Sequence, residues 1–271
     1  MILFRSRGAL YGECWFGELP TQSGVDVLAL RQRTSPLVGA RCHPFFTIFN
    51  DLTAGEDELL GRFGANCREK LKRAERRDEL ELEILDDPRE RLTEFVACYD
   101  AFAAQTGLRP ANEPWLLGAC AAQQLVLARV ARHGETLAWN AYLVAGADAW
   151  FQHGVARFRD APAEQRAVFA RANRWLHWRS MLWFRERGCA RYDWGGLFER
   201  EVAPEHAGIN RFKREFGGRE VRSYDCYVPV TLKGHLRLEL NRLGDGLRAL
   251  RARSSRPGAP ASAAGSAARS A

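Results

Sequence analysis

The chain has 271 residues, of which 46% are hydrophobic and 11% aromatic, so it can bury a large core and is not globally disordered. Its net charge of +7 indicates attraction to anions such as phosphates or RNA but does not indicate a fold. No apolar run is long enough for a membrane span or a signal peptide, so we expect neither.

The seven cysteines include no Cys-x-x-Cys pair, and several stand in apolar helical or strand-like segments. A free cysteine in such a segment behaves as a small hydrophobic residue. The histidines show no metal-ligand spacing. We therefore expect a reduced, cytoplasmic protein with no metal, rather than a disulfide scaffold or a zinc site.

Residues 1–50 are rich in strand formers, with strand-like runs at 25–30 and 45–49. Apolar residues recur every three or four positions over 56–77, which predicts one amphipathic helix with a basic outer face. Leu or Ile alternates with Glu over 80–85, the period of a half-buried strand. Because Pro88 follows two aspartates and favours a new helix start, we place the end of a first unit at 88.

The remainder predicts alternating helices and strands and a second unit over 89–253. Its predicted elements are helices to about 105 and over 113–122, strands 125–131, 136–145 and 149–158, a long helix 163–187, strand 190–194, helix 207–216, strand 220–230 and helix 232–252. A strand, a long helix and a further strand usually form a right-handed crossover between parallel strands. We therefore predict an α/β (α+β) fold, a mixed sheet flanked by helices, with a disordered Ala/Ser/Gly/Pro/Arg tail over 254–271.

One segment is distinctive in its glycines and its lysine. Tyr-Asp-Trp-Gly-Gly at 192–196 predicts a strand that ends in a glycine turn, and Gly-Ile-Asn-Arg-Phe-Lys-Arg-Glu-Phe-Gly-Gly at 208–218 predicts a short helix closed by a glycine pair. Only four of the 40 basic residues are lysines, and Lys213 stands between Phe212 and Phe216. A compact ammonium there suits a point contact with a ligand better than the planar guanidinium of arginine would.

The order of elements resembles the GNAT acyltransferase superfamily. The two glycine motifs resemble the Fem-type aminoacyltransferases, which build peptidoglycan cross-bridges from aminoacyl-tRNA. The basic segment Arg-Glu-Lys-Leu-Lys-Arg-Ala-Glu-Arg-Arg at 68–77 is similar to the family's basic helix. Fem-type enzymes carry two GNAT-like domains, so the resemblance implies a shortened N-terminal GNAT-like half over 1–88 and an acyltransferase domain over 89–253.

The resemblance also implies roles for the glycine motifs. Lys213 would stabilise negative charge on the reacting carbonyl, and Phe212, with Phe216 beside it, would hold the donor. Gly195–Gly196 would let the donor lie against the strand end. Asp193 would orient the turn or act as a general base. The structural alternative makes Lys213 a surface residue, the two Phe side chains core anchors, and the glycines a tight turn without a ligand.

The basic helix is the candidate anion site. Its members are Arg68, Lys70, Lys72 and Arg73, which could hold the diphosphate of a nucleotide- or lipid-linked acceptor, or a tRNA backbone. The alternative is an ordinary solvated helix face, since Glu69 and Glu75 partly neutralise it.

The segment 157–166 bears on the donor. GNAT enzymes that use acetyl-CoA bind its pyrophosphate with a glycine-rich loop before the long helix, but this segment has no glycine and contains Asp160 and Glu164. This favours aminoacyl-tRNA or another acyl thioester carrier as donor, with an amine acceptor and no tightly bound cofactor. The alternatives are an acyl-CoA-dependent N-acetyltransferase acting on a small amine or sugar, and a non-catalytic RNA-binding module.

Overall fold

Ten strands form one mixed sheet in the computed structural model, which describes residues 1–17, 24–156, 162, 165–201 and 204–254. The strands are β1 (Ile2–Ser6), β2 (Ala9–Trp15), β3 (Val27–Arg33), β4 (Arg41–Asp51), β5 (Glu81–Leu85), β6 (Leu125–Arg132), β7 (Glu135–Ala145), β8 (Asp148–Ala156), β9 (Arg191–Gly196) and β10 (Arg219–Pro229). The helices are α1 (Glu56–Gly61), α2 (Ala65–Arg77), α3 (Leu92–Thr106), α4 (Glu113–Ala121), α5 (Arg166–Glu186), α6 (Pro204–Arg214) and α7 (Leu232–Ser254).

The strand order is β1-β2-β3-β10-β4-β9-β8-β7-β6-β5. The pairs β2/β3 and β8/β9 are parallel, and the other neighbours are antiparallel. The parallel pair β8/β9 is joined through α5, which confirms the predicted crossover. The end of β9 therefore lies beside β4, in the middle of the sheet.

Helices cover both faces of the sheet. On one face α2 and α5 pack over β6 and β7, with Leu71, Trp178 and Phe184 in a shared core. On the other face α3 and α4 bury Phe95, Trp115 and neighbouring side chains. Successive residues of a strand point to opposite faces, so Val126 and Leu127 of β6 belong to different cores.

The structure confirms the mixed sheet flanked by helices and corrects several elements. The single helix predicted over 56–77 is wrong: α1 ends at Gly61 and α2 begins at Ala65, because Gly61 and Gly64 interrupt the apolar period. Gly195 and Gly196 belong to the end of β9 rather than following it. The predicted strand end at 158 and the tail over 255–271 lie outside the described residues.

The two predicted units share one sheet. β5, from the first unit, forms an edge beside β6, and β10, from the second unit, lies between β3 and β4. The boundary at 88 and the shortened first half remain predictions.

Cys42 and Cys226 form a disulfide, so the prediction of an entirely reduced protein is wrong at this pair. The two cysteines are 184 residues apart but face each other across the antiparallel pair β4/β10. That register depends on long-range strand pairing, which a local sequence pattern does not contain. Among the described helices, none combines the length and the hydrophobicity needed to cross a bilayer.

Candidate active site

Asp193 organises the turn at the end of β9. It is almost fully buried, and its Oδ1 accepts hydrogen bonds from the Thr47 hydroxyl (2.5 Å) and the Gly195 N–H (2.8 Å). Thr47 Oγ1 also lies 2.7 Å from the Gly195 carbonyl oxygen. A hydroxyl carries one proton, so Thr47 can donate to only one of these oxygens. The shorter bond, to Asp193, stabilises the ionised form of that carboxyl.

Burial dominates the ionisation of Asp193. Burial raises the pKa of Asp193 from 3.8 to about 7, although the bonds from Thr47, Gly195 and Gln32 and the charge of Lys213 act in the opposite direction. A carboxyl with a pKa near neutrality can change protonation state under physiological conditions, as a general acid or base must.

Lys213 reaches the same turn from the last part of α6. Its ammonium donates to the Gly196 carbonyl oxygen at 2.6 Å, and the residue is only 8% exposed. Burial lowers the pKa of Lys213 from 10.5 to about 8, and the neighbouring Asp193 limits the fall. The surface position considered as an alternative for Lys213 is therefore wrong. Three residues earlier, buried Asn210 donates to the Phe198 carbonyl and accepts from the Phe198 N–H, which fixes the loop between β9 and α6.

The two glycines of the turn are not equally required. Gly195 has φ +68°, and a Cβ there would lie 2.6 Å from the Phe151 carbonyl oxygen, so a side chain does not fit. A Cβ at Gly196 would only touch the ring of Phe45 at 3.5 Å. The later pair at 217–218 packs against backbone, since a Cβ at Gly217 would meet the Arg62 carbonyl.

The two phenylalanines are not equivalent. Phe216 is fully buried against Phe63 and Trp194, so its ring has no exposed surface to offer a donor. Phe212 is half-buried, and the guanidinium of Arg174 lies 4.9 Å from its ring centre. The structure therefore leaves Phe212 as the partly accessible aromatic next to Lys213.

A cavity of about 260 Å³, here called the aromatic cavity, adjoins the turn. Two of its walls are in direct reach of the glycines: Phe45 faces Gly196, and Trp150 Nε1 would lie 3.5 Å from a Cβ at Gly195. The complete lining is Phe4, Glu13, Trp15, Arg31, Gln32, Phe45, Asn112, Trp115, Trp150, Gln152 and Asp225.

Two buried polar atoms around this cavity have no hydrogen-bond partner among the described residues. They are Gln152 Oε1 and Trp150 Nε1. The Gln32 amide lies against Asp193 and lowers the pKa of that carboxyl. An unsatisfied buried polar group costs about 1–3 kcal/mol, so such groups rarely cluster without a reason. Trp150 Nε1 and Gln152 Oε1 leave a donor and an acceptor beside the glycine turn that a polar ligand could use.

Glu13 and Arg31 fix the remaining cavity wall. Buried Glu13 accepts from the indole N–H groups of Trp15 and Trp115, and Arg31 bonds its other oxygen at 2.8 and 2.9 Å. Arg31 also donates to Asp225 at 3.0 Å. Sequence reasoning missed this wall, because it joins β2, β3, β10 and α4 across long sequence distances. The sequence gives one weak indication of Thr47, which is the single hydroxyl residue in β4.

The basic helix lies away from this site. α2 packs with α5 on one face of the sheet, and the aromatic cavity opens on the face that carries α4. Arg68 donates to the carbonyls of Gly61 and Phe63, and Arg73 pairs with Glu69 at 3.0 Å, whereas Lys70 is half-buried and Lys72 exposed. Anion binding by this helix remains a prediction.

A further cavity, about 600 Å³, lies at the opposite end of β9, near Arg191, and no predicted site residue lines it. Most of the segment predicted to lack a CoA loop, 157–161 and 163–164, lies outside the described residues. Within the described part of the chain, no group of three His, Cys, Asp or Glu side chains could hold a metal ion.

No protein-family model matches the chain, and no curated protein matches its sequence. Solved structures do match its fold. FemX is 16% identical with a TM-score of 0.55, over 66% of this chain and 61% of FemX, so the chain spans less than two thirds of that protein. The C-terminal domain (DUF2156) of a protein named as a lysylphosphatidylglycerol synthetase, from Agrobacterium fabrum, is 18% identical with a TM-score of 0.52, over 78% of this chain and 70% of that one. The chain therefore shares the fold of FemX and of this C-terminal domain.

Proposed function

We propose that this protein transfers an acyl or aminoacyl group from aminoacyl-tRNA or an acyl thioester to an amine acceptor. The observation that carries the proposal is the position of Lys213: a buried ammonium 2.6 Å from the Gly196 carbonyl, beside a cavity with unpartnered polar groups. The Fem-like fold supports the same reaction class, and the resemblance of the glycine motifs supports an aminoacyl donor. An acyl-CoA donor with a small amine or sugar acceptor is the closest alternative.

In the proposed reaction the acceptor amine attacks the carbonyl carbon of the donor ester or thioester. The carbonyl oxygen becomes an oxyanion, and the Lys213 ammonium stabilises it with an N–H not used by Gly196. Fixed charges that stabilise an oxyanion contribute a rate factor of roughly 100–1000. When the tetrahedral intermediate collapses, the new amide bond forms and the donor's alcohol or thiol leaves with a proton. No covalent intermediate with the protein is needed.

Asp193 has two candidate roles that use different oxygens. Oδ1 holds the turn through Thr47 and Gly195, which leaves Oδ2, with the Gln32 side chain close to the carboxyl, for proton transfer. As a general base, Oδ2 would take the proton that the attacking amine loses. A carboxyl with a pKa of about 7 is suited to that transfer at neutral pH. We propose Asp193 as the base as well as the organiser of the turn.

Consumption of a labelled donor tests the proposal. Aminoacyl-tRNA or acyl-CoA should lose its acyl group only when both the protein and an amine acceptor are present. The donor that is consumed distinguishes the two alternatives. Tight tRNA binding without donor consumption would instead identify an RNA-binding module and would refute the proposed activity.

A further inference from the structure

A second cavity, here called the arginine cavity, lies on the same sheet face as the aromatic cavity and has a volume of about 480 Å³. It is formed by the β1–β2 turn, β2, β4, β10, α7 and the loop that follows α3. Its lining is Ser6, Arg7, Tyr11, Arg41, His43, Arg109, Tyr227, Arg237, Leu238 and Asn241.

The charge of this cavity is uncompensated. Four arginines and a histidine line it, and the described lining contains no carboxylate. Arg41 and Arg237 are half-buried and Arg7 and Arg109 exposed, whereas half-buried Arg171 pairs with Asp78 at 2.6 Å. Within the described part of the chain, Arg7, Arg41, Arg109 and Arg237 form no ion pair. Like charges gathered in a concave space favour the entry of an anion.

Two of the four arginines are oriented by hydrogen bonds. Arg41 donates to the Leu238 carbonyl at 2.9 Å, and Arg237 donates to Asn241, so each is held by part of its guanidinium. The Nε of Arg237 is buried without a partner. A guanidinium presents paired N–H groups that match the oxygens of a phosphate. The hydroxyls of Ser6 and Tyr11 add donors at the wall.

The size of the cavity favours a small ligand. Pockets for small molecules usually measure about 300–1,000 Å³, whereas an RNA backbone needs a basic surface that extends over several phosphates. The cavity thus fits one phosphate or diphosphate group better than a nucleic-acid strand.

The arginine and aromatic cavities share a wall. Tyr227, which lines the arginine cavity, accepts a 2.6 Å hydrogen bond from Arg31 of the aromatic cavity. Along β4, alternate residues Arg41, His43, Phe45 and Thr47 lead from the arginine cavity to the turn. A strand rises about 3.3 Å per residue, so the separation from these basic residues to Thr47 is roughly 13–20 Å.

We propose that the arginine cavity binds the phosphate or diphosphate end of one substrate, whose reactive group lies at the Gly196 turn. Only the second half of this statement rests on the proposed acyl transfer. The phosphate could belong to a nucleotide- or lipid-linked acceptor or to a CoA donor, since both carry the same group.

Calorimetric titration with inorganic pyrophosphate tests the anion site without turnover. Arg41→Ala and Arg109→Ala should each weaken binding by about tenfold or more, as expected for lost charge-assisted hydrogen bonds. Arg109 is exposed and has no described hydrogen bond, so Arg109→Ala should fold normally. It therefore tests the site even if Arg41→Ala unfolds. Arg242→Ala is the matched control, because Arg242 lies on α7 outside the cavity and pairs with Glu239 at 3.6 Å.

Parallel titrations with CoA and with uridine diphosphate identify which substrate carries the phosphate. Lys213→Met should still bind pyrophosphate, because Lys213 lies outside the arginine cavity. The anion site can therefore be confirmed even if the proposed acyl transfer is refuted. The proposal is overturned if pyrophosphate does not bind, if Arg242→Ala loses as much affinity, or if only Lys72→Ala/Arg73→Ala on α2 weakens binding. Binding of tRNA alone, with none of the three small ligands, would also overturn it.

Discussion

Replacing Asp193 by Asn should change how stability depends on pH, and the size of the change follows from the burial of Asp193. Its pKa is about 7 in the folded protein and 3.8 in the unfolded chain. Between these values the folded protein holds more protons than the unfolded chain, so stability falls as pH rises. A difference of this size corresponds to about 4 kcal/mol, lost progressively between about pH 4 and pH 7. Asparagine has nearly the same shape as aspartate and does not ionise, so the Asp193→Asn variant should not lose this stability as pH rises.

The assay is urea unfolding followed by tryptophan fluorescence at intervals from pH 4.5 to 8, for the wild type and Asp193→Asn. Other titrating groups contribute almost equally to both proteins, so their difference isolates Asp193. We expect the variant to gain stability relative to the wild type as pH rises, with the difference levelling above pH 7. Glu199→Gln is the control, since Glu199 is an exposed carboxylate shortly after β9. Parallel curves for wild type and Asp193→Asn would refute a buried carboxyl with a raised pKa.

Three further predictions concern the same turn. Thr47→Val removes the hydroxyl that bonds Asp193 and Gly195 and should therefore raise the pKa of Asp193 further. The acidic limb of the plot of kcat/KM against pH should then move to higher pH. An unmoved limb would show that the hydroxyl does not stabilise the carboxylate. Gly195→Ala places a side chain at a left-handed backbone position against the Phe151 carbonyl, so it should lower the free energy of unfolding by about 1–3 kcal/mol. Gly208→Ala is the control, because Gly208 lies on α6 with open space around it. Equal unfolding midpoints for the two variants would contradict this prediction. Because Lys213 must stay protonated to stabilise an oxyanion, kcat/KM should decline above about pH 8, and a profile that rises steadily to pH 10 would exclude that role.

The sequence predicted the parts of the site that depend on local pattern. The strand that leads to the Gly195–Gly196 turn, the helix that carries Lys213 and the crossover through α5 each follow from periodicity and glycine placement, although the strand was predicted to end before the glycines. The broken helix at Gly61–Gly64 could have been predicted from the same signals, since both glycines interrupt its apolar stripe.

The remaining parts depend on strand pairing between distant segments. β10 lies between β3 and β4, and this placement creates the Cys42–Cys226 disulfide and brings Arg31 to Asp225. The arginine cavity arises in the same way, from β4, β10 and α7. Its arginines are far apart in the sequence, so no run of basic residues predicts them. The run of basic residues that the sequence does show is on α2, on the opposite face of the sheet.

The role of Lys213 is tested most directly by the mass of the product in a single-turnover reaction. Wild-type protein, an amine acceptor and the consumed donor should give the acylated amine, and Lys213→Met should form it roughly 100–1000 times more slowly. The stability of that variant should change little, because losing the bond to Gly196 is offset by removing a buried charge. Lys233→Met, at an exposed lysine on α7, is the control. Acylated amine formed at the same rate by Lys213→Met and wild type would contradict the account.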